Sequence, residues 1–302
     1  MPIQDKFEFL MEQRRKFLKE MTALTGFALI TGAELCRAEP VGISGDPFND
    51  DKDWGSIKGR VVLDGDAPQR SEVDLDKFKI DPKDLKWFKQ EGPILSEDWV
   101  VNKENKGVQW LIVWLIPENA DTDRKAVLDV HEKFKAPIEG DDKFVIVDQE
   151  PQGYVPHAVA IREGMGLKMR NQGPVAHVFN LTGFKNQMAA QNMAPKAELD
   201  VVDLKAERIT NQVTCPPHPW ERMWLKIFDH PYYAVTDKDG NFEIKNAPKG
   251  KCRLVVWQET IGYKGGRKGR YGEIIEIEGG ASTDLGEIKI EVTTTKDEEK
   301  KG

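Results

Sequence analysis

Residues 108–116 read VQWLIVWLI, apolar at both parities of an extended chain. A strand with one face in water alternates apolar and polar residues; this run has no face to give to solvent and is read as a central strand buried on both sides. Around it lie short β-type runs separated by turn residues, with little sustained helical periodicity. Residues 57–63 end at Asp64-Gly65. Runs at 144–147, 158–161, 167–171, 177–181, 199–204, 209–215 and 224–228 follow, and 273–277 and 285–292 close the series. Residues 234–257 are expected to form two alternating strands joined by a hairpin turn at Asp239-Gly240. The charged stretch 74–89 is expected to carry a helical turn or two. An all-β fold of one or two sandwiches accounts for this pattern.

Composition narrows the partners. The 302 residues are 39% apolar and 9% aromatic, enough for packed cores and two ordinary domains. Net charge is −7, and −8 for the remainder once residues 1–38 are set aside. That balance argues against nucleic acid and anionic membrane surfaces, though not against a basic protein. The three cysteines, Cys36, Cys215 and Cys252, cannot form a disulfide framework.

The chain begins with an address. QRRKFLK at 13–19 precedes an apolar run of about 15 residues, shorter than a membrane span, and Ala38 stands at a plausible cut site. This resembles a bacterial twin-arginine leader, with Gln13 where Ser or Thr is usual. It implies a signal peptide over 1–38, export of a folded protein to the periplasm, and no membrane span in the mature chain. Residues 39–53 read as a polar linker and 293–302 as a disordered charged tail.

Cys215 to Met223 read CPPHPWERM. A copper site for electron transfer wants a thiolate, two imidazoles and a weak axial thioether, a set that serves both Cu(I) and Cu(II). Cys215, His218 and Met223 supply three of these groups on one loop between strands, and Glu221 rivals Met223 for the axial position. The fourth group must come from elsewhere. His131 sits in a charged segment, His230 lies past the last strand of this region, and His157 reads as a satisfied core histidine. His177, opening a strand after a turn, is placed to reach across a sandwich.

These residues resemble the cupredoxins, specifically the plastocyanin and pseudoazurin type, whose Cys, His and Met follow one another at the spacing of Cys215, His218 and Met223. The segment YVPHAVAIREGMGLKMRNQGPVAHVFN, 154–180, is similar to the family's strand, glycine turn, Asn-bearing strand and ligand histidine. The resemblance implies a Greek-key β-sandwich over 141–229 with one type 1 copper centre held by His177, Cys215, His218 and Met223. It also departs from the family: Val178 follows His177 where many members carry Asn, and Asn180 comes two residues later. Pro216, Pro217 and Pro219 fix φ around the ligands. Trp220 beside His218 can shield that edge, form a docking patch or simply be buried. Met188 and Met193 are read as packing, and Cys252 as an inert buried thiol.

Residues 234–257, with Thr236, Asp239-Gly240 and Pro248 to Gly250, resemble carboxypeptidase regulatory-like or transthyretin-like domains. The opening strand of such domains is similar to IKGRVVLDG at 57–65. A second small sandwich, discontinuous over 54–140 and 230–292 around the copper domain, is therefore expected, without a catalytic constellation. The chain is expected to be no enzyme: multicopper oxidase chemistry needs His-rich clusters, and five scattered histidines do not supply them. The expected function is electron transfer between redox partners such as a c-type cytochrome and an oxidoreductase. A copper storage or delivery protein, or a structural sandwich, is the alternative.

Overall fold

The computed structural model describes residues 52–292, so the readings of the leader, of Cys36, of most of the linker and of the charged tail lie outside the described residues. In chain order the strands are β1 (Trp54–Leu63) and β2 (Ile112–Pro117), then β3 (Phe144–Glu150), β4 (Gly153–Val155), β5 (Ala158–Arg162) and β6 (Gly166–Asn171). Next come β7 (His177–Thr182), β8 (Met188–Met193), β9 (Glu198–Val201), β10 (Asn211–Thr214) and β11 (Arg222–Phe228). The chain returns through β12 (Tyr233–Val235), β13 (Asn241–Pro248), β14 (Gly250–Gln258), β15 (Gly262–Tyr263), β16 (Glu273–Ile277) and β17 (Ser282–Ile290).

The fold is all-β, as the sequence predicts, and among the described residues four sheets form two sandwiches, each around its own core. An outer sandwich sets the sheet β13-β1-β17 against β12-β2-β14, to which β15 and β16 also pair. Ile57, Val61, Val113, Leu115, Phe242, Ile244, Leu254 and Val256 fill its interior. An inner sandwich, between β2 and β12 in sequence, sets β5-β11-β10-β7-β8 against β4-β3-β6-β9 around Val147, Tyr154, Ile161, Leu167, Phe179, Val213, Met223 and Leu225.

The two-sided burial of VQWLIVWLI has a direct cause. Val113 and Leu115 point into the outer core, while Ile112 and Trp114 join Ala158, Phe228, Val255 and Trp257 in a third cluster between the sandwiches. The strand proper starts only at Ile112, because Trp110 adopts a left-handed φ of 69° that breaks the extended run.

The Asp239-Gly240 turn departs from expectation. β12 pairs with β2 and β13 with β1, so the turn passes between the two sheets instead of closing a hairpin. The turn is held from outside: Asp239 Oδ1 accepts hydrogen bonds from Asn102 Nδ2 and Asn105 Nδ2, at 2.6 and 2.9 Å. A Cβ on Gly240, at φ 80°, would stand 2.2 Å from the Val61 carbonyl oxygen, so only glycine lets the turn lie against β1. Tertiary docking overrides the local signal.

One helix matters to the site. α1 (Pro82–Phe88) starts at Asp81, whose carboxylate accepts from Lys83 N, with Pro82 in the first turn where its missing N–H costs nothing. It ends after Trp87 and Phe88, both buried with Leu75, Ile94 and Val175.

Candidate metal centre

The loop between β10 and β11 is two turns in succession. His218 N donates to Cys215 O at 2.9 Å, Glu221 N donates to His218 O at 2.8 Å, and Cys215 N donates to Glu221 O at 3.1 Å. Pro216 and Pro219 each take the second position of a turn, where their fixed φ suits the bend. Cys215, His218 and Glu221, at the turn junctions, come to one side. β7 pairs with β10 at Asn180↔Thr214, and this register sets His177, at the start of β7, opposite the loop.

His177 Nδ1 and His218 Nδ1 lie 3.2 Å apart, and Cys215 Sγ lies 3.4 Å from His218 Nδ1 and 3.9 Å from His177 Nδ1. Metal–nitrogen bonds of about 2.0 Å and metal–sulfur bonds of about 2.3 Å, opened by roughly 110–120°, separate such donors by about 3.3–3.7 Å. The three atoms are therefore spaced to share one cation. Glu221 completes the group: one donor atom from each of the four residues lies within 4.8 Å of every other.

Glu221 Oε2 accepts from Gln149 Nε2 at 3.0 Å and faces His177 Nδ1 at 2.9 Å. Its second oxygen, Oε1, is buried without a hydrogen-bond partner, 3.5 Å from His218 Nδ1. Cys215 and Glu221 are both 0% exposed. Burial raises the Glu221 pKa, but the His177 contact and the nearby His218 imidazole outweigh it and hold the carboxyl below its ordinary value. The Cys215 thiol is pushed well up, by burial first and then by the Glu221 carboxylate. A thiolate beside a buried carboxylate is sustainable only with a compensating cation, and a buried carboxylate oxygen without a partner fits the same demand.

The thiol also accepts from Val178 N at 3.3 Å. Asn180 does not replace an Asn after His177 directly; its Nδ2 reaches Thr214 Oγ1 at 3.3 Å and thereby ties β7 to the residue before Cys215. Asn171 braces the loop ahead of His177 by donating to Val175 O at 2.7 Å and accepting from Gly173 N at 3.0 Å.

α1 roofs the cluster. The Phe88 ring lies 4.8 Å from His218 and 5.1 Å from Trp220, and the Trp87 ring 5.8 Å from His177. The indole of Trp87 reaches this position because residue 173 is glycine; a Cβ there would stand 2.5 Å from Trp87. His177 is 1% and His218 6% exposed, so neither imidazole presents an open edge to water.

The structure thus gathers His177, Cys215 and His218 with Glu221. Met223 is fully buried in β11 opposite Val213 and packs in the inner core. His157 stands apart in an ion pair with Glu259, His131 caps a short turn, and His230 packs on Phe228. Met193 is buried opposite His177 in β8, with Met188 packed at the same core. Sequence reasoning missed Gln149 and the α1 roof. WF in DPKDLKWFKQ is an apolar pair in a charged stretch, yet nothing local says what it covers.

No protein-family model matches the chain, and no curated protein matches it. Solved structures with a local likeness include a Cu(I) form of an amicyanin point mutant, at 19% identity over 29% of this chain and 84% of that one, TM-score 0.26. Amicyanin from Paracoccus versutus matches at 18% over 30% of this chain and 85% of its own, TM-score 0.26. A purple cupredoxin from Nitrosopumilus maritimus matches at 14% over 28% and 98%, TM-score 0.24.

Proposed function

We propose that the chain is a single-copper electron-transfer protein in which His177, Cys215, His218 and Glu221 hold the metal, with Glu221 in place of Met223 as the fourth donor. The observation that carries this reading is the spacing of two imidazole nitrogens and one thiol sulfur at 3.2–3.9 Å in a buried pocket. Copper held by such donors supplies one-electron chemistry.

The surrounding residues do the rest. Prolines and the two closed turns hold Cys215 and His218 in place, and Val178 N–H stabilises charge on the sulfur. The α1 roof excludes water. Trp220, half-buried and 5.4 Å from His218 ring to ring, is the aromatic surface through which a partner would couple. The acidic chain would attract a basic redox protein, with an association rate that falls as salt rises. Among the described residues no helix is long and apolar enough to cross a membrane. We further propose export by the twin-arginine leader to the periplasm, and no catalytic turnover by this chain itself. Storage or delivery fits less well, because exchange wants exposed donors and these four are covered.

The carboxylate favours one other reading: a closed shell of four N, S and O donors also suits structural zinc. Redox cycling of the copper-loaded protein separates the readings. One electron per copper, with full spectral recovery over repeated cycles, is expected. Loss of copper on reduction would point to delivery, and preferential retention of zinc with no redox couple would point to a structural site.

A further inference from the structure

The carboxylate of Glu259, just past β14 in the outer sandwich, is 7% exposed yet meets three groups of the inner sandwich. Its Oε1 lies 2.6 Å from His157 Nε2, and its Oε2 accepts from Trp224 Nε1 at 2.7 Å and lies 3.4 Å from Arg222 Nε. Arg222 also pairs with Asp98, and His157 Nδ1 stands 3.3 Å from Glu97. Within the inner sandwich, Trp224 N also donates to His157 O at 2.9 Å, so two of the groups that Glu259 meets are tied to each other.

The register makes this clamp specific. Side chains alternate along β11, so Met223, Leu225 and Ile227 enter the inner core while Trp224 and Phe228 face the outer sandwich. The two residues that Glu259 holds, Arg222 and Trp224, flank Met223, and Arg222 directly follows Glu221. One buried carboxylate thus grips the strand at the point where the metal loop ends.

We infer that Glu259 is a positioning residue for the metal centre: held by Arg222, Trp224 and His157, it fixes β11 and so sets where the Glu221 carboxylate stands relative to His177, Cys215 and His218. The outer sandwich then serves as the frame of the centre as well as a neighbouring module. This rests on the copper reading above. Glu259 and His157 are the buried members of the cluster, 7% and 3% exposed, and both Glu259 oxygens are engaged. In such a low-dielectric place the hydrogen bonds are strong, so loss of the charge would let the strand relax.

The test uses the full chain loaded with Cu(II) and compares Glu259→Gln with Val255→Ala, which removes volume from the same interface and no hydrogen bond to β11. Glu259→Gln is expected to shift the thiolate band and the copper hyperfine splitting, and to change the Cu(II)/Cu(I) equilibrium severalfold, while Val255→Ala changes neither. Trp224→Phe, which deletes only the Nε1 donor and the indole's extra ring, is expected to move the spectrum in the same sense by less, and serves if Glu259→Gln does not fold. Spectra identical to wild type in both β11-linked variants, with only stability lowered, would overturn the positioning role while leaving the copper reading intact. Absence of a thiolate band in the wild type would instead remove both.

Discussion

Cys215 and Cys252 are both buried thiols, 0% and 1% exposed, one at the end of the inner sandwich and one in the core of the outer. Cys252 sits in β14 among Val113, Leu115 and Ile277, and its pKa is pushed up to about 12 by burial alone. Cys215 has two imidazole nitrogens within 3.9 Å, a carboxylate beside it and a backbone N–H on its sulfur. Burial is equal; the company differs. A thiol among methyl groups is packing, whereas one among imidazoles and a carboxylate belongs to a donor set. The same contrast separates the cores: the outer one closes on itself, and the inner one ends in polar donors that α1 roofs over.

Substitution sharpens this contrast most strongly at the thiols. Cys215→Ser is expected to abolish the thiolate-to-copper absorption with far-UV circular dichroism unchanged, while Cys252→Ser leaves the colour intact. Colour surviving the first change would reverse the assignment.

Next in size is the roof. Phe88→Ala in the metal-free protein should cost about 3–5 kcal/mol, as should Phe242→Ala in the outer core, since each empties a buried aromatic site. Only Phe88→Ala should speed removal of bound copper by a chelator; equal rates in the two variants would deny the roof a protective role.

The buried imidazoles offer a third contrast. Burial acts to lower the His157 pKa, but Glu259 and Glu97 outweigh it and raise it from 6.5 to about 9. Because the folded value exceeds the unfolded one, its stabilisation is complete below about pH 6.5 and is lost as pH rises through about 9. The loss amounts to roughly 3 kcal/mol, readable as a falling urea midpoint between pH 7 and 10. In His157→Gln that slope should flatten, and a wild-type curve already flat there would contradict the pairing.

Smallest is the effect on redox balance. A carboxylate favours Cu(II) over Cu(I), so Glu221→Gln should raise the reduction potential by more than about 59 mV, the one-electron equivalent of a tenfold shift. An unchanged potential in voltammetry, paired with a shift in Met223→Leu, would return the fourth position to Met223.

Much of this was legible in the residues, for reasons that differ from place to place. Cys215 and His218 share one loop, so their spacing carries over from sequence to space. VQWLIVWLI announced two-sided burial, although only the structure shows that its second face is the contact between sandwiches. Glu221 was visible as a rival to Met223, and Pro216 and Pro219 signal the two turns that lead to it, but the bond from Cys215 N to Glu221 O that closes the loop has no signature in the residue types. The Asp239-Gly240 signal misled because Asn102 and Asn105 hold the turn from far along the chain. The pairing of His157 with Glu259 spans 102 residues and has no local signature.

The most direct measurement is a titration of the metal-free protein with Cu(II), followed by visible absorption and electron paramagnetic resonance. An intense thiolate-to-copper band that grows to one equivalent and stops, with a single copper signal, is the expected result. A weak absorption from nitrogen and oxygen ligation alone, or no saturable binding, would contradict it.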